Sequence, residues 1–123
     1  MTAPQVSRIA VMGLPQQVIR TAGAALFGGA EVTLYDPERA EDLRRDLLAR
    51  SARALAARGA SAYAEAKARL TAAQDPAALA GCQVVFLMSG AASDGVTRDL
   101  TRIAPHLSPD AVVLCQSERA DFQ

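Results

Sequence analysis

Gly13, Leu14, Pro15, Gln16, Gln17 and Val18 follow the apolar run Ile9-Ala-Val-Met12, and Asp36 closes a second run, Glu31-Val-Thr-Leu-Tyr35. A strand that meets a glycine, then a helix, then a second strand ending in an acid is the skeleton of a dinucleotide-holding βαβ unit. The chemistry is recognition of a pyrophosphate and a ribose. In Gly-x-Gly-x-x-Gly the first glycine makes the tight turn, the second lets backbone approach the pyrophosphate, and the third lets the helix pack close to the strand. Here Gly13 holds the first position, Pro15 the second and Val18 the third. Pro15 has no N–H to offer, and its ring occupies the approach. One lost charge-assisted hydrogen bond costs about 1.5–3 kcal/mol, roughly 10- to 150-fold in affinity. A helix N-terminus still attracts anions without glycines, and Gln16 and Gln17 carry amide donors. Two readings stay open: a weak phosphate site, or a loop in which Pro15 only starts a helix.

Asp36 also has two readings. An acid at the end of the second strand binds the adenosine ribose hydroxyls and favours NAD over NADP. Asp before Pro37 is equally an ordinary helix start, with Asp as N-cap and Pro at the first helical position. One side chain can serve both ends.

The elements around these residues follow from periodicity and punctuation. Val6 to Met12 reads as a buried parallel strand. Pro15 to Phe27 reads as a helix with Val18, Ile19, Ala22, Leu26 and Phe27 near one face, stopped by Gly28-Gly29. Glu31 to Tyr35 is the second strand. Glu38 to Arg58 is a long helix with a narrow stripe of Leu43, Leu47, Ala54 and Leu55, its acids first and its arginines later. Ser61 to Leu70 is a further helix, with Glu65 and Arg69 paired at i, i+4. The two form a charge-rich hairpin expected to project from the sheet. Thr71 to Gln74 is a weak third strand, and Asp75-Pro76 caps a small helical turn closed by Gly81. Gln83 to Met88 is the clearest strand, Ser89 to Gly95 a small-residue loop, Val96 to Ala104 a helix stopped by Pro105, and Ala111 to Cys115 the last strand. The alternation predicts an α/β fold: a Rossmann-like doubly wound parallel sheet in order 3-2-1-4-5 with right-handed crossovers.

The length, 123 residues, fits one domain. With 13 basic and 13 acidic side chains the formal charge is zero, which argues against nucleic acid and against a polybasic membrane anchor. Cys82 and Cys115 have no metal-ligand spacing and are expected to be small buried hydrophobes. No signal peptide and no membrane-spanning run is evident, so a cytoplasmic protein is expected. His106, after the Pro105 stop, reads as a surface loop residue with no catalytic role.

The chain resembles, over about residues 7–117, the NAD-binding domain of the 3-hydroxyacyl-CoA dehydrogenase family. The residues that carry this are Glu31-Val-Thr-Leu-Tyr-Asp36-Pro37 followed by the helical hairpin, then Asp75-Pro-Ala-Ala-Leu-Ala-Gly-Cys-Gln-Val-Val-Phe86, and Leu107-Ser-Pro-Asp-Ala-Val-Val-Leu-Cys-Gln116-Ser117. The resemblance implies NAD as cofactor, a place in fatty acid metabolism, and contacts from Gly13, Leu14, Pro15, Gln16, Gln17, Asp36, Ser89 and Ser117. It also exposes departures. The family's second and third glycines fall on Pro15 and Val18, its acid after the fourth strand on Leu87, and its Asn-Thr-Ser-Ser run on Gln116-Ser117-Glu118-Arg119. Its catalytic histidine, the acid beside it and its C-terminal helical domain have no counterpart here. A second resemblance, through Val84-Val-Phe-Leu-Met-Ser89, is to the β-hydroxyacid dehydrogenases, whose first domain usually lacks the hairpin.

These readings predict a truncated or split dehydrogenase piece, inactive alone, with weak or lost NAD(H) binding. Its partner would be a separate chain supplying the missing half, or a second copy. The competing expectation is a non-catalytic Rossmann relic that acts as an interaction or scaffold module.

Overall fold

The computed structural model describes residues 8–88 and 93–115. Five parallel strands make one sheet: β1 (Arg8–Gly13), β2 (Glu31–Tyr35), β3 (Leu70–Ala73), β4 (Val84–Met88) and β5 (Val112–Cys115), in the order β3-β2-β1-β4-β5. The predicted strand order is the observed one. Between the strands lie α1 (Pro15–Phe27), α2 (Ala40–Ala56), α3 (Ala62–Arg69), a 3₁₀ turn (Pro76–Gly81), α4 (Ser93–Ile103) and a second 3₁₀ turn (Ala104–His106).

Two apolar layers hold the sheet. On one face Ile9, Val11, Val32, Leu34 and Leu70 pack against Val18, Ala22 and Leu26 of α1 and Leu43, Leu47, Leu48 and Leu55 of α2. On the other, Ala10, Met12, Tyr35, Val85 and Leu87 pack against Leu79, Cys82 and Ile103. The alternation of strand residues between the layers is the period-2 rule of a sheet covered on both faces.

The hairpin of α2 and α3 does not project; it covers the sheet. Its apolar face is wider than the sequence stripe, because Leu48 and Ser51 join it, while the expected member Ala54 is exposed. The charges do not solvate the hairpin away from the core either. Arg44 Nε donates to the Leu70 carbonyl at 2.8 Å, and Arg58 Nη1 to the Phe27 carbonyl at 2.8 Å with its guanidinium over the Phe27 ring. Arg69 Nη2 donates to the Leu26 carbonyl at 2.8 Å and its Nε to the Ala30 carbonyl at 3.3 Å, so it does not pair with Glu65, which takes the Ser61 hydroxyl. Arginine stems lie along apolar surface while their heads reach carbonyls left over at helix ends.

Smaller differences follow local chemistry. α1 ends as expected, with Gly29 at φ +96° releasing the chain and its N–H donating to the Leu26 carbonyl. The long helix starts at Ala40, because Pro37 to Arg39 form a separate turn. α3 starts one residue later and β3 one residue earlier than expected, at Ala62 and Leu70. Residues 93–95, expected in a loop, already belong to α4; the rest of that loop lies outside the described residues. Asp75 caps the first 3₁₀ turn as expected, accepting from the Ala77 N–H at 2.9 Å. His106 sits half-buried in the second 3₁₀ turn rather than in an open loop. Cys82 is buried, but Cys115 is exposed, because β5 is an edge strand. No helix among the described residues is long and apolar enough to cross a membrane.

Candidate functional site

In an open α/β sheet, ligands bind outside the carboxyl ends of the strands, where the strand order reverses. Here the reversal falls between β1 and β4, whose ends meet at the Gly13–Met88 pair. A cleft of about 470 Å³ opens beside that point. Met12, Gly13 and Leu14 line it from the end of β1, Tyr35 and Asp36 from the end of β2, and Pro37, Glu38 and Arg39 from the turn that follows. Arg98, Asp99 and Arg102 of α4 form the facing wall.

Gly13 has φ +123°, a conformation that L side chains rarely adopt, and a Cβ there would run into the Met88 carbonyl. Met88 also claims the next amide: Leu14 N–H donates to the Met88 carbonyl at 2.7 Å. The glycine is thus required by the close approach of β1 to the end of β4. Pro15 opens α1 and brings no N–H, and the Val18 N–H donates to the Leu14 carbonyl at 2.9 Å. Val18 itself is fully buried among α1, α2 and the sheet, so the third-glycine position has become core.

Asp36 Oδ1 accepts from the Glu38 N–H and the Arg39 N–H, both at 2.8 Å. The carboxylate organises the turn before α2, rather than capping α2 directly as expected. It is half-buried and lines the cleft, so the turn role and a ribose role are compatible.

Of the residues expected to touch a cofactor, Gly13, Leu14 and Asp36 line this cleft together. Pro15, Gln16 and Gln17 follow at the start of α1 and line, with Leu14, a shallower depression beside it. Ser89 and Ser117 lie outside the described residues. Arg39, Arg98, Asp99 and Arg102 went unassigned in the sequence. Their only signals were the i, i+4 spacing of Arg98 and Arg102 and the three-residue step from Asp36 to Arg39. A second groove of about 440 Å³ between α1 and α2 is walled by Arg20, Asp46 and Arg50, with Arg50 paired to Asp46 at 2.9 Å. It begins at the first turn of α1, where Pro15 and Gln16 also line it. No group of His, Cys, Asp and Glu among the described residues is arranged to hold a metal ion.

The adenosine end of the cleft fits a dinucleotide: an acid stands at the end of β2, beside a glycine turn at the strand reversal. The pyrophosphate end does not fit through its loop, because proline and valine stand where backbone must approach.

The fold recurs in solved dehydrogenases. This is a Rossmann-like α/β fold. The chain is similar to (S)-3-hydroxybutyryl-CoA dehydrogenase PaaH1 from Ralstonia eutropha (TM-score 0.79, 14% identity), covering 90% of this chain and 41% of that one. It is similar to 3-hydroxybutyryl-CoA dehydrogenase from Escherichia coli K12 (TM-score 0.78, 22% identity), covering 91% of this chain and 25% of that one. The likeness extends to a UDP-glucose dehydrogenase from Pyrobaculum islandicum (TM-score 0.66, 19% identity), covering 97% of this chain and 31% of that one. The chain therefore spans between a quarter and under half the length of these dehydrogenases. Identities this low establish the fold alone. No protein-family model matches the chain, and no curated protein matches it.

Proposed function

We propose that the chain is the nucleotide-binding domain of a 3-hydroxyacyl-CoA dehydrogenase-like system, a cytoplasmic protein that holds NAD(H) weakly through the cleft at the ends of β1 and β2. The observation that carries this reading is Asp36, held at the end of β2 in one cleft with the Gly13–Leu14 turn. In this reading Asp36 Oδ2 receives the adenosine ribose hydroxyls, Gly13 and Leu14 floor the cleft, and the first turn of α1 faces the pyrophosphate. Hydride transfer is assigned to no residue of this chain; the substrate and its general base belong to a second domain or chain, and a place in fatty acid metabolism is part of this reading, supported by the likeness to 3-hydroxybutyryl-CoA dehydrogenases. The test is titration with NADH, followed by fluorescence and by amide chemical shifts. A saturable change in the micromolar to millimolar range is expected, with the Gly13, Leu14 and Asp36 amides moving. No saturable change at millimolar NADH sinks the reading.

A second reading, a non-catalytic interaction module, is favoured by one observation. Val112 and Leu114, on one face of edge strand β5, are 51% and 47% exposed. Paired apolar residues on a sheet edge suit a second protein surface. This reading expects self-association or a partner that ignores NADH, and a strictly monomeric protein by light scattering with no captured partner removes it.

A further inference from the structure

We infer that Arg39, Arg98 and Arg102 grip the phosphate oxygens of an adenine nucleotide in the cleft, supplying donors that the loop Gly13–Gln17 lacks. The inference rests on the nucleotide reading above and deepens it by naming the residues that hold the ligand's charge.

The backbone donors come first. Leu14 spends its N–H on Met88, Pro15 has none, and Val18 spends its own on Leu14. A phosphate group presents several acceptor oxygens and a full negative charge, more than the backbone of this turn satisfies.

The cleft supplies other donors from its lining. The guanidinium side chains of Arg39, Arg98 and Arg102 line the same 470 Å³ space as Gly13, Leu14 and Asp36, and all three are exposed. Among the described residues the ion pairs are Arg8–Glu31, Arg44–Glu41, Arg45–Asp42 and Arg50–Asp46, and none uses these three arginines.

Their positions also bring positive charge together. Arg98 and Arg102 are a like-charge i, i+4 pair on α4. Arg39 occupies the N-cap of α2, at the positive end of the helix dipole, and its side chain makes no cap hydrogen bond. A planar guanidinium is matched to phosphate through two parallel N–H donors. Asp36, Glu38 and Asp99 on the same lining disfavour a bare polyanion. They leave a nucleotide, whose ribose hydroxyls suit a carboxylate and whose phosphates suit a guanidinium.

The phosphate has two possible sources: the 5′-diphosphate of NAD(H) or ADP, or a ribose 2′-phosphate as in NADP(H). Calorimetric titration of the full chain with adenosine, 5′-ADP, 2′-AMP, NADH and NADPH separates them. Relative to adenosine, the phosphate that the guanidiniums read adds about tenfold to a hundredfold in affinity, and the gain shrinks with added salt. A gain with 5′-ADP and NADH assigns the arginines to the pyrophosphate; a gain with 2′-AMP and with NADPH over NADH assigns them to the ribose phosphate. In the Arg98→Gln/Arg102→Gln variant, and separately in Arg39→Gln, that gain falls at least severalfold while the melting temperature holds. Arg45→Gln, in a surface pair on α2 outside the cleft, leaves it unchanged. NADH and NADPH each bound by wild type and by the double variant with equal affinity overturn the inference and leave the nucleotide reading standing. Absence of binding by every nucleotide overturns both.

Discussion

The Met88 carbonyl oxygen occupies the space that a Cβ on Gly13 would need. Gly13 sits at φ +123°, and the next amide, that of Leu14, is tied to the same oxygen at 2.7 Å. The glycine that marks a nucleotide loop in the sequence is therefore also a joint between β1 and β4. Its presence alone does not report ligand binding, because the fold requires it.

Gly13→Ala should cost about 2–5 kcal/mol, combining backbone strain with overpacking against a carbonyl that cannot move without breaking the β1–β4 ladder. Urea unfolding followed by circular dichroism measures it. A midpoint equal to that of wild type would mean that the two strand ends are not joined as described.

The other two loop positions should respond in opposite ways to restoring the glycine. Val18 is fully buried, so Val18→Gly removes apolar contact and adds a helix-interior glycine, a loss of about 2–4 kcal/mol. Pro15→Gly lies at the start of α1 and should change stability by less than about 1 kcal/mol. It also returns an N–H to the loop, so NADH affinity should rise roughly tenfold. Unchanged NADH affinity in Pro15→Gly would show that the phosphates do not approach this turn.

Legibility from the sequence followed the range of the interactions. α1 (Pro15–Phe27) and β2 (Glu31–Tyr35) are bounded where the sequence places them, because proline and glycine act on their own backbone. The hairpin was misjudged because a helix's charge count says nothing about where its arginines point. Arg69 reaches the Leu26 carbonyl across 43 positions, and no local pattern encodes that bond. The cleft divides the same way. Gly13 and Asp36 were visible through spacing within one βαβ unit. Arg98 and Arg102 became cleft residues only when α4 packed beside the end of β2.

Asp36 separates turn-forming from ligand-holding. Asp36→Asn keeps an oxygen that can accept from the Glu38 and Arg39 amides, so stability should stay within about 0.5 kcal/mol of wild type. It removes the charge, so NADH binding should weaken by about tenfold. Asp36→Ala loses both amide bonds and should cost about 0.5–2 kcal/mol as well. Thermal melts and NADH titrations on the pair read the two roles independently. If Asp36→Asn binds NADH as wild type does, the carboxylate serves the turn alone.

The two thiols should differ in reactivity. Burial pushes the Cys82 thiol above its ordinary value, against the lowering effects of a Thr33 hydrogen bond and the Arg8 charge. Cys115 is exposed on the edge strand. At pH 8 an alkylating reagent should label Cys115 quickly and reach Cys82 only as the chain unfolds, which mass spectrometry of digested protein resolves. The stability effect has a definite sign. An unfolded chain loses the Cys82 proton at lower pH than the folded one, so it binds fewer protons in that window. Stability is then unaffected by this thiol below its ordinary pKa, and falls as pH rises from there to the raised folded value. Cys82→Ala should flatten that alkaline slope while leaving the neutral-pH melt lower by the loss of a buried sulfur. Equal labelling rates for both cysteines in the native protein would contradict the burial of Cys82 beneath the sheet.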